Sequence, residues 1–228
     1  MKSRTYTAAA SGCLMVDVRV PAGSVRVIVE DRDHAEVTII GPDADVIDRT
    51  RFAESFQQLS VHVPDSPAQP FGGPIHIAGG NVGMVAGVVY GSLIMHGNAH
   101  QTTGMVFGGV AASGTDIDIR LPPSSSLCVE TVAASVDVTG PLLTAYVQST
   151  SGAIRLDTVA GPQLETVSGR VTVADLIGIG SIETVSGDIT VTSTAPSELN
   201  ARSVSGNIRA VGPIRLAAHT VSGRVRTY

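Results

Sequence analysis

Tryptophan is absent from the 228 residues, lysine occurs only at Lys2, and just eight residues are aromatic. So few rings leave no obvious platform for stacking sugars. Charge is scarce at 15% of residues, and the stretch from Ser66 to Thr115 carries none. A basic excess is missing too: the formal net charge is −5, which excludes a nucleic-acid backbone as the expected partner. Two cysteines, Cys13 and Cys128, cannot build a disulfide framework. They lie in apolar stretches and read as buried free thiols. Long apolar runs are missing as well. The most apolar segment, Val82 to Met95, is interrupted by Gly83, Gly87 and Gly91, and a spanning helix needs about 20 apolar residues. Ala10-Ser11-Gly12-Cys13 has the look of a lipoprotein site, but the apolar stretch before it is too short for a signal. With no signal and no span, a cytoplasmic location is expected.

What is present is glycine, 25 residues of it, among small β-branched side chains, with 43% hydrophobic residues overall. That composition is too apolar for disorder and too poor in helix formers for a bundle. An all-β fold of short strands is expected.

The C-terminal half repeats itself. Thr166-Val167-Ser168-Gly169-Arg170-Val171-Thr172-Val173 returns as Thr184-Val185-Ser186-Gly187-Asp188-Ile189-Thr190-Val191, and again after Ser203 and Thr220. Looser copies start at Thr131 and Ser149. The resulting column is Ala134, Gly152, Gly169, Gly187, Gly206 and Gly223, with steps of 17 to 19 residues. A copy this short suits one coil of a β-solenoid (a parallel β-helix), in which equivalent positions stack on one another. Alternation of apolar and polar residues marks each strand as half-buried. Two inward ladders are predicted: Val136, Ile154, Val171, Ile189, Ile208, Val225, and Val132, Thr150, Val167, Val185, Val204, Val221. A further column upstream is Val129, Val147, Leu164, Ile182, Ala201 and Ala218. Each Ser-Gly reads as a corner where glycine permits positive φ. Ile75 and Ile77 match Leu93 and Met95 at a step of 18, so the register extends backwards, and about nine coils are expected over residues 72–228.

Residues 1–65 read as an N-terminal β-strand capping region. Residues 66–228 read as the solenoid, with glycine-rich uncharged coils over 66–115 and regular Ser-Gly coils over 116–228. Within the cap, Pro21-Ala22-Gly23-Ser24 suggests a hairpin between two valine-rich strands. Asp43 to Phe56 is the one place where a short helix is expected.

The Thr-Val-Ser-Gly-Asp-Ile-Thr-Val type of repeat resembles a bacterial β-strand-repeat family of unknown function whose members are often labelled as candidate adhesins. Val18 to Val27 is similar to its opening strands, and Ile117 to Ser126 to its entry into the regular coils. The resemblance implies a β-helix-like fold and supplies no catalytic residues. A second similarity, to polymerising β-helices of the bactofilin type, concerns architecture alone.

The chemistry of an enzyme is not apparent. Outward columns such as Asp137, Arg155, Thr172, Thr190, Arg209, Arg226 and Ala153, Arg170, Asp188, Asn207, Arg224 mix signs, as a solvated face does. Clustered carboxylates for glycan cleavage are missing. His96 and His100 lack further ligands for a tetrahedral metal site, and no motif for a cofactor occurs. No catalytic, cofactor-binding or metal residue is therefore assigned.

Two features suggest interaction. Residues 199–228 hold five arginines and no acid, and the strand pattern runs intact to Tyr228, leaving an uncapped edge. Val88, Val89, Tyr90, Leu93, Ile94 and Met95 form a belt that is apolar on both faces and calls for a cover. The candidate interaction surface is thus this belt together with Arg215, Arg224, Arg226 and Tyr228. The expected function is a non-enzymatic structural, scaffold or protein-interaction solenoid that self-associates as a homo-oligomer or filament. The alternatives are an adhesin-like module with a carbohydrate, surface or unidentified protein partner and, third, a glycan-active enzyme.

Overall fold

The computed structural model describes residues 1–65, 76–78, 94–96 and 114–228. The chain divides into two compact units, Met1–Asp65 with Ser113–Tyr228, and Ser66–Ala112. From the N-terminus the elements are β1 (Lys2–Ser11), β2 (Met15–Val29), β3 (His34–Gly41), α1 (Ala44–Arg49), β4 (Arg51–Ser55), β5 (Gln58–His62), β6 (His76–Ala78) and β7 (Ile94–His96). They continue as β8 (Thr115–Leu121), β9 (Ser126–Leu142), β10 (Thr144–Ser149), β11 (Ile154–Val159), β12 (Pro162–Thr166), β13 (Val171–Leu176) and β14 (Ile179–Thr184). The last are β15 (Ile189–Thr192), β16 (Ser197–Ser203), β17 (Ile208–Val211), β18 (Ile214–Thr220) and β19 (Val225–Thr227).

The larger unit is a β-solenoid with two strand-lined faces. One face runs β4, β5, β2, β9, β10, β12, β14, β16, β18. The other runs β1, β3, β8, β2, β9, β11, β13, β15, β17, β19. β2 and β9 are long enough to serve both faces, which merges the ladders into one 17-stranded sheet. All pairings are parallel except β1–β3, β3–β8 and β4–β5. Among the described residues the parallel strands stack as eight coils, two of them drawing on β5 and β2, which span about 34 Å from first to last at the usual strand spacing; the nine coils expected over 72–228 fall in part outside the described residues.

The register follows the sequence repeat. Val136 pairs with Ile154, Ile154 with Val171, Val171 with Ile189, Ile189 with Ile208 and Ile208 with Val225. The first five of these are fully buried, and Val225 on the last coil is 44% exposed. Val129, Val147, Leu164, Ile182 and Ala201 oppose them across the core. In the smaller unit β6 and β7 pair in parallel with Ile77 opposite Met95, the 18-residue step read from the sequence.

Four expectations need correction. Pro21 to Ser24 is no hairpin: β2 continues through it from one face to the other, bending at Gly23 (φ +126°), where the Thr115 backbone leaves no room for a side chain. Cys13 is exposed and Cys128 half-buried, because Cys13 sits in the loop before β2 and Cys128 faces outward. The corner glycines of the repeat do not adopt positive φ; a side chain there would strike the carbonyl of the coil beneath. The second predicted ladder, Val132 to Val221, points outward, with Val167, Val185 and Val204 at 48–49% exposure.

Stacking order also departs from chain order. β2 lies between the β5/β8 coil and β9, so part of the N-terminal region is an internal coil. The end beyond β5 and β8 is closed by β1, β3, β4 and α1. The helix falls within the expected 43–56 stretch. Asp43 caps it by accepting from the Asp45 N–H at 3.0 Å, and Val46 and Ile47 are buried.

Glu54 ties the two outermost strands together. Its carboxylate accepts from the Ala9 and Ala10 N–H groups at 3.0 and 2.7 Å and from the Tyr6 hydroxyl at 2.9 Å. The two backbone donors, followed by Tyr6, hold the Glu54 carboxyl below its ordinary 4.5. A depressed carboxyl stabilises the fold above its unfolded value, and that contribution is lost as pH falls through the lower folded value. Between pH 5 and pH 3 the melting temperature of the wild type is therefore expected to fall more steeply than that of Glu54→Gln. Parallel acid limbs in thermal melts would show that the latch does not couple to folding.

Candidate functional site

At the corner where the first face turns into the second, the four coils that begin with β12, β14, β16 and β18 share the order outward polar residue, inward hydroxyl, outward valine, Ser-Gly, and the earlier coils vary it. Stacking converts this order into columns. In register, the outward polar column is His62, Arg19, Glu130, Gln148, Glu165, Glu183, Arg202, His219. Beside it run Pro21 and the outward Val132, Val167, Val185, Val204 and Val221, with Thr150 replacing valine in one coil. These columns line a groove of about 800 Å³ that extends from His62 and Val63 to His219 and Val221.

Charge along this groove is largely compensated between coils. Arg19 meets Glu130 at 3.3 Å, Arg202 meets Glu183 at 3.3 Å, and the Gln148 amide donates to Glu165 at 3.0 Å. Under the corner lie the hydroxyls of Ser149, Thr166, Thr184 and Ser203, buried and without a hydrogen-bond partner. The end members of that column show the contacts the position can make. Thr131 accepts from the Ala134 N–H at 2.9 Å, and Thr220 donates to the Gly206 carbonyl at 3.2 Å. The groove is amphipathic: a charged wall faces an apolar one, a combination suited to holding an elongated ligand rather than to transferring protons.

The last coil carries Arg215 on β18, of the first face, and Arg226 on β19, of the second, with Arg224 and Tyr228 flanking β19. Among the described residues β18 pairs only with β16 and β19 only with β17, so the outer edge of the coil is unpaired. Ile214, Leu216 and Ala218 are only partly covered, and Val225 and Tyr228 are exposed. Arg209 lies over the Tyr228 ring, 4.7 Å from its centroid. Val88, Val89, Tyr90 and Leu93 lie outside the described residues. Ile94 and Met95 are on β7.

On the second face the expected outward columns hold. Arg155 reaches Asp137 at 3.2 Å, and Arg170 comes within 4.0 Å of Asp188. The Asn207 N–H and side-chain amide both donate to Asp188 and, ahead of Arg170, hold its carboxyl below the usual carboxylate range. Burial, with Asp17 second, pushes the Cys128 thiol up, the opposite of an activated nucleophile. No group of three or more His, Cys, Asp or Glu side chains that could hold a metal occurs among the described residues.

The groove's polar column was not anticipated, although it lies four residues before each corner glycine and could have been read from the same alignment of copies.

These features define a class of object, a parallel β-solenoid closed beyond β5 and β8 by β1, β3, β4 and α1 and carrying a lengthwise corner groove. The chain belongs to the Toastrack DUF4097 family, whose model matches residues 15–227. A search of curated proteins finds no match. Among solved structures, a candidate adhesin from Bacteroides fragilis NCTC 9343 is 13% identical, with 100% of this chain and 97% of that chain covered at a TM-score of 0.51. A candidate adhesin from Parabacteroides distasonis ATCC 8503 is also 13% identical, with 100% and 97% covered and a TM-score of 0.41. A candidate lipid-binding protein from the same strain is 12% identical, with 98% and 96% covered and a TM-score of 0.33. The first of these shows a shared fold. No helix among the described residues is long and apolar enough to cross a membrane.

Proposed function

We propose that the chain is a non-enzymatic scaffold or interaction solenoid that associates through its last coil, with a second copy as the first partner to test. The observation that carries this reading is that, among the described residues, the outer edge of β18 and β19 meets no further strand, above a core left partly open at Leu216 and Ala218. A parallel edge of this kind accepts a further strand unless it is blocked. The other end is closed by α1 and the Glu54 latch, so association is directional. The exposed Cys13 thiol fits a reducing compartment, and on that ground we assign the protein to the cytoplasm.

A second reading, an adhesin-like module that binds a surface or glycan, draws support from the corner groove with its column of exposed valines. One experiment separates the two. Sedimentation velocity over a wide concentration range is expected to show species larger than a monomer. Val225→Lys, which puts a charge on the edge, abolishes them, and Val185→Asp, in the groove, leaves them unchanged. A strict monomer at every concentration and salt would overturn the self-association reading. The reverse sensitivity of the two variants would move the contact to the groove.

A further inference from the structure

Most of the large apolar side chains that face water fall into two rows, one along each corner of the solenoid. The valine row lines the groove. The other row lies where the second face turns back into the first, and it holds Phe56, Met15, Leu143, Ile177 and Ile179. Taken in stacking order, the coils start with β5, β2, β9, β10, β12, β14, β16 and β18. Phe56 precedes β5, Met15 opens β2, Leu143 precedes β10, and Ile177 and Ile179 lie at the start of β14. The remaining coils present only small residues or proline at this corner: Pro123-Ser124, Ala160-Gly161, Ala195-Pro196 and Gly212-Pro213. Coils one, two, four and six are therefore bulky here, and coils three, five, seven and eight are slight.

Main-chain bonds hold this crest in register. The Leu143 N–H donates to the Ser125 carbonyl at 3.0 Å, Ala160 to Leu142 at 3.2 Å and Ile177 to Val159 at 2.9 Å. None of the crest residues just named is charged. Phe56 is 90% exposed and holds φ +51°, a conformation that disfavours a bulky residue. Strain of this kind at an exposed ring gains nothing within the chain and points to a contact outside it.

The order of bulky and slight coils is its own complement. Reversed, it sets coil one on eight, two on seven, four on five and six on three, so every bulky coil meets a slight one. We infer that two copies of the chain pair side by side along this corner, antiparallel, about a two-fold axis between coils four and five. Phe56 then packs on Gly212-Pro213, Met15 on Ala195-Pro196, Leu143 on Ala160-Gly161, and Ile177 and Ile179 on Pro123-Ser124. The contact is isologous and closes on itself. Parallel pairing would set bulky coils on bulky ones and leave voids between the slight ones, which close packing disfavours. Charge agrees with the antiparallel form. The nearest charged neighbours on the first face, Glu198 and Arg215, fall opposite Met15 and Gln58, so no like charges meet there.

This surface runs along the solenoid and does not use the outer edge of β18 and β19, so it goes beyond the end contact proposed above. A strip about 34 Å long and roughly 10 Å wide covers on the order of 400 Å² per copy, about half of what a stable pair buries. The pairing is transient, and covalent trapping reads it where sedimentation does not.

Trapping uses the full chain with Cys13→Ser in two forms, one carrying Leu143→Cys and the other Ala160→Cys. Equal amounts are mixed, treated with a short bis-maleimide and resolved by mass. Cross-links between unlike chains are expected to exceed each like-chain product at least ten-fold, against two-fold for random collision. Ile179→Asp in both forms is expected to cut the unlike product at least five-fold. Ile179 is 70% exposed, so this variant keeps its melting temperature and unfolding does not explain the loss. Val225→Lys is expected to leave the product unchanged, and a trapped unlike pair in a chain that fails to associate through its last coil would overturn the end contact alone. Loss of the product in Val225→Lys would assign the contact to the last coil and overturn the pairing. An excess of like-chain products, or the random ratio, would overturn it as well. The random ratio together with Ile179-dependent co-sedimentation on phosphatidylcholine vesicles would give the crest to a membrane surface instead.

Discussion

Replacing Gly187 with alanine is expected to destabilise the protein by about 3 kcal/mol or more, as overpacking of a site that cannot relax does, lowering the melting temperature by roughly 6–12 °C in a chain of this size. The cause is not backbone freedom, since Gly187 does not adopt positive φ. A Cβ at this position would lie far inside van der Waals contact with the Gly169 carbonyl oxygen, one coil below, and 3.0 Å from the Thr184 hydroxyl. That carbonyl cannot swing away. The corner is held level to level by bonds such as Val185 N–H to the Thr166 carbonyl at 3.2 Å and Ser186 N–H to the Val167 carbonyl at 2.8 Å. Relief would require opening the stack. The control is Gly161→Ala, where the nearest atoms are the Thr144 methyl at 3.7 Å and the Ile179 carbonyl at 3.9 Å. There the change is expected to be neutral, or stabilising by up to about 1 kcal/mol through the unfolded chain. Equal losses at the two glycines in urea titrations would show that coil contact does not set the glycine column.

The same stacking explains the one exception in that column. Ala134 carries a Cβ, and the coil beneath it supplies Gly23 at that register. Gly23 adopts φ +126° where β2 bends between the faces. The first regular coil thus sits on an irregular one, and its corner is relieved of the constraint that every later corner carries.

Which parts of this were legible follows from what a repeat encodes. Identical positions in successive coils must meet, so the steps of 17 to 19 residues gave the register of Val136 through Val225 directly. Stacking order is another matter. β2 enters between β5/β8 and β9, and nothing local in Val16 to Val29 distinguishes an internal coil from a cap, because both need the same alternation. The last described coil was legible as strand because the pattern persists through residues 199–228, which carry five arginines and no acid. The groove was not, because its valines were assigned to the core.

That misassignment has a definite source, and it sets up the sharpest contrast among substitutions. Strict alternation counted through the corner gives Val185 and Ile189, four residues apart, the same orientation. The corner Ser186-Gly187-Asp188 is not strand, however, and crossing it reverses parity. Thr184 points in, Val185 points out at 48% exposure, and Ile189 points in with none. Ile189→Ala is accordingly expected to cost about 3 kcal/mol, the transfer loss plus a cavity between Val171 and Ile208 that the flanking coils cannot fill. Val185→Ala, on a half-exposed wall, is expected to cost less than about 1 kcal/mol. Denaturant titration of the two variants measures the difference. A Val185 loss as large as that of Ile189 would mean that the corner does not reverse parity and that the valine column belongs to the core, which would remove the groove. A small Val185 loss places the valine column outside the core and leaves the groove as the structure describes it.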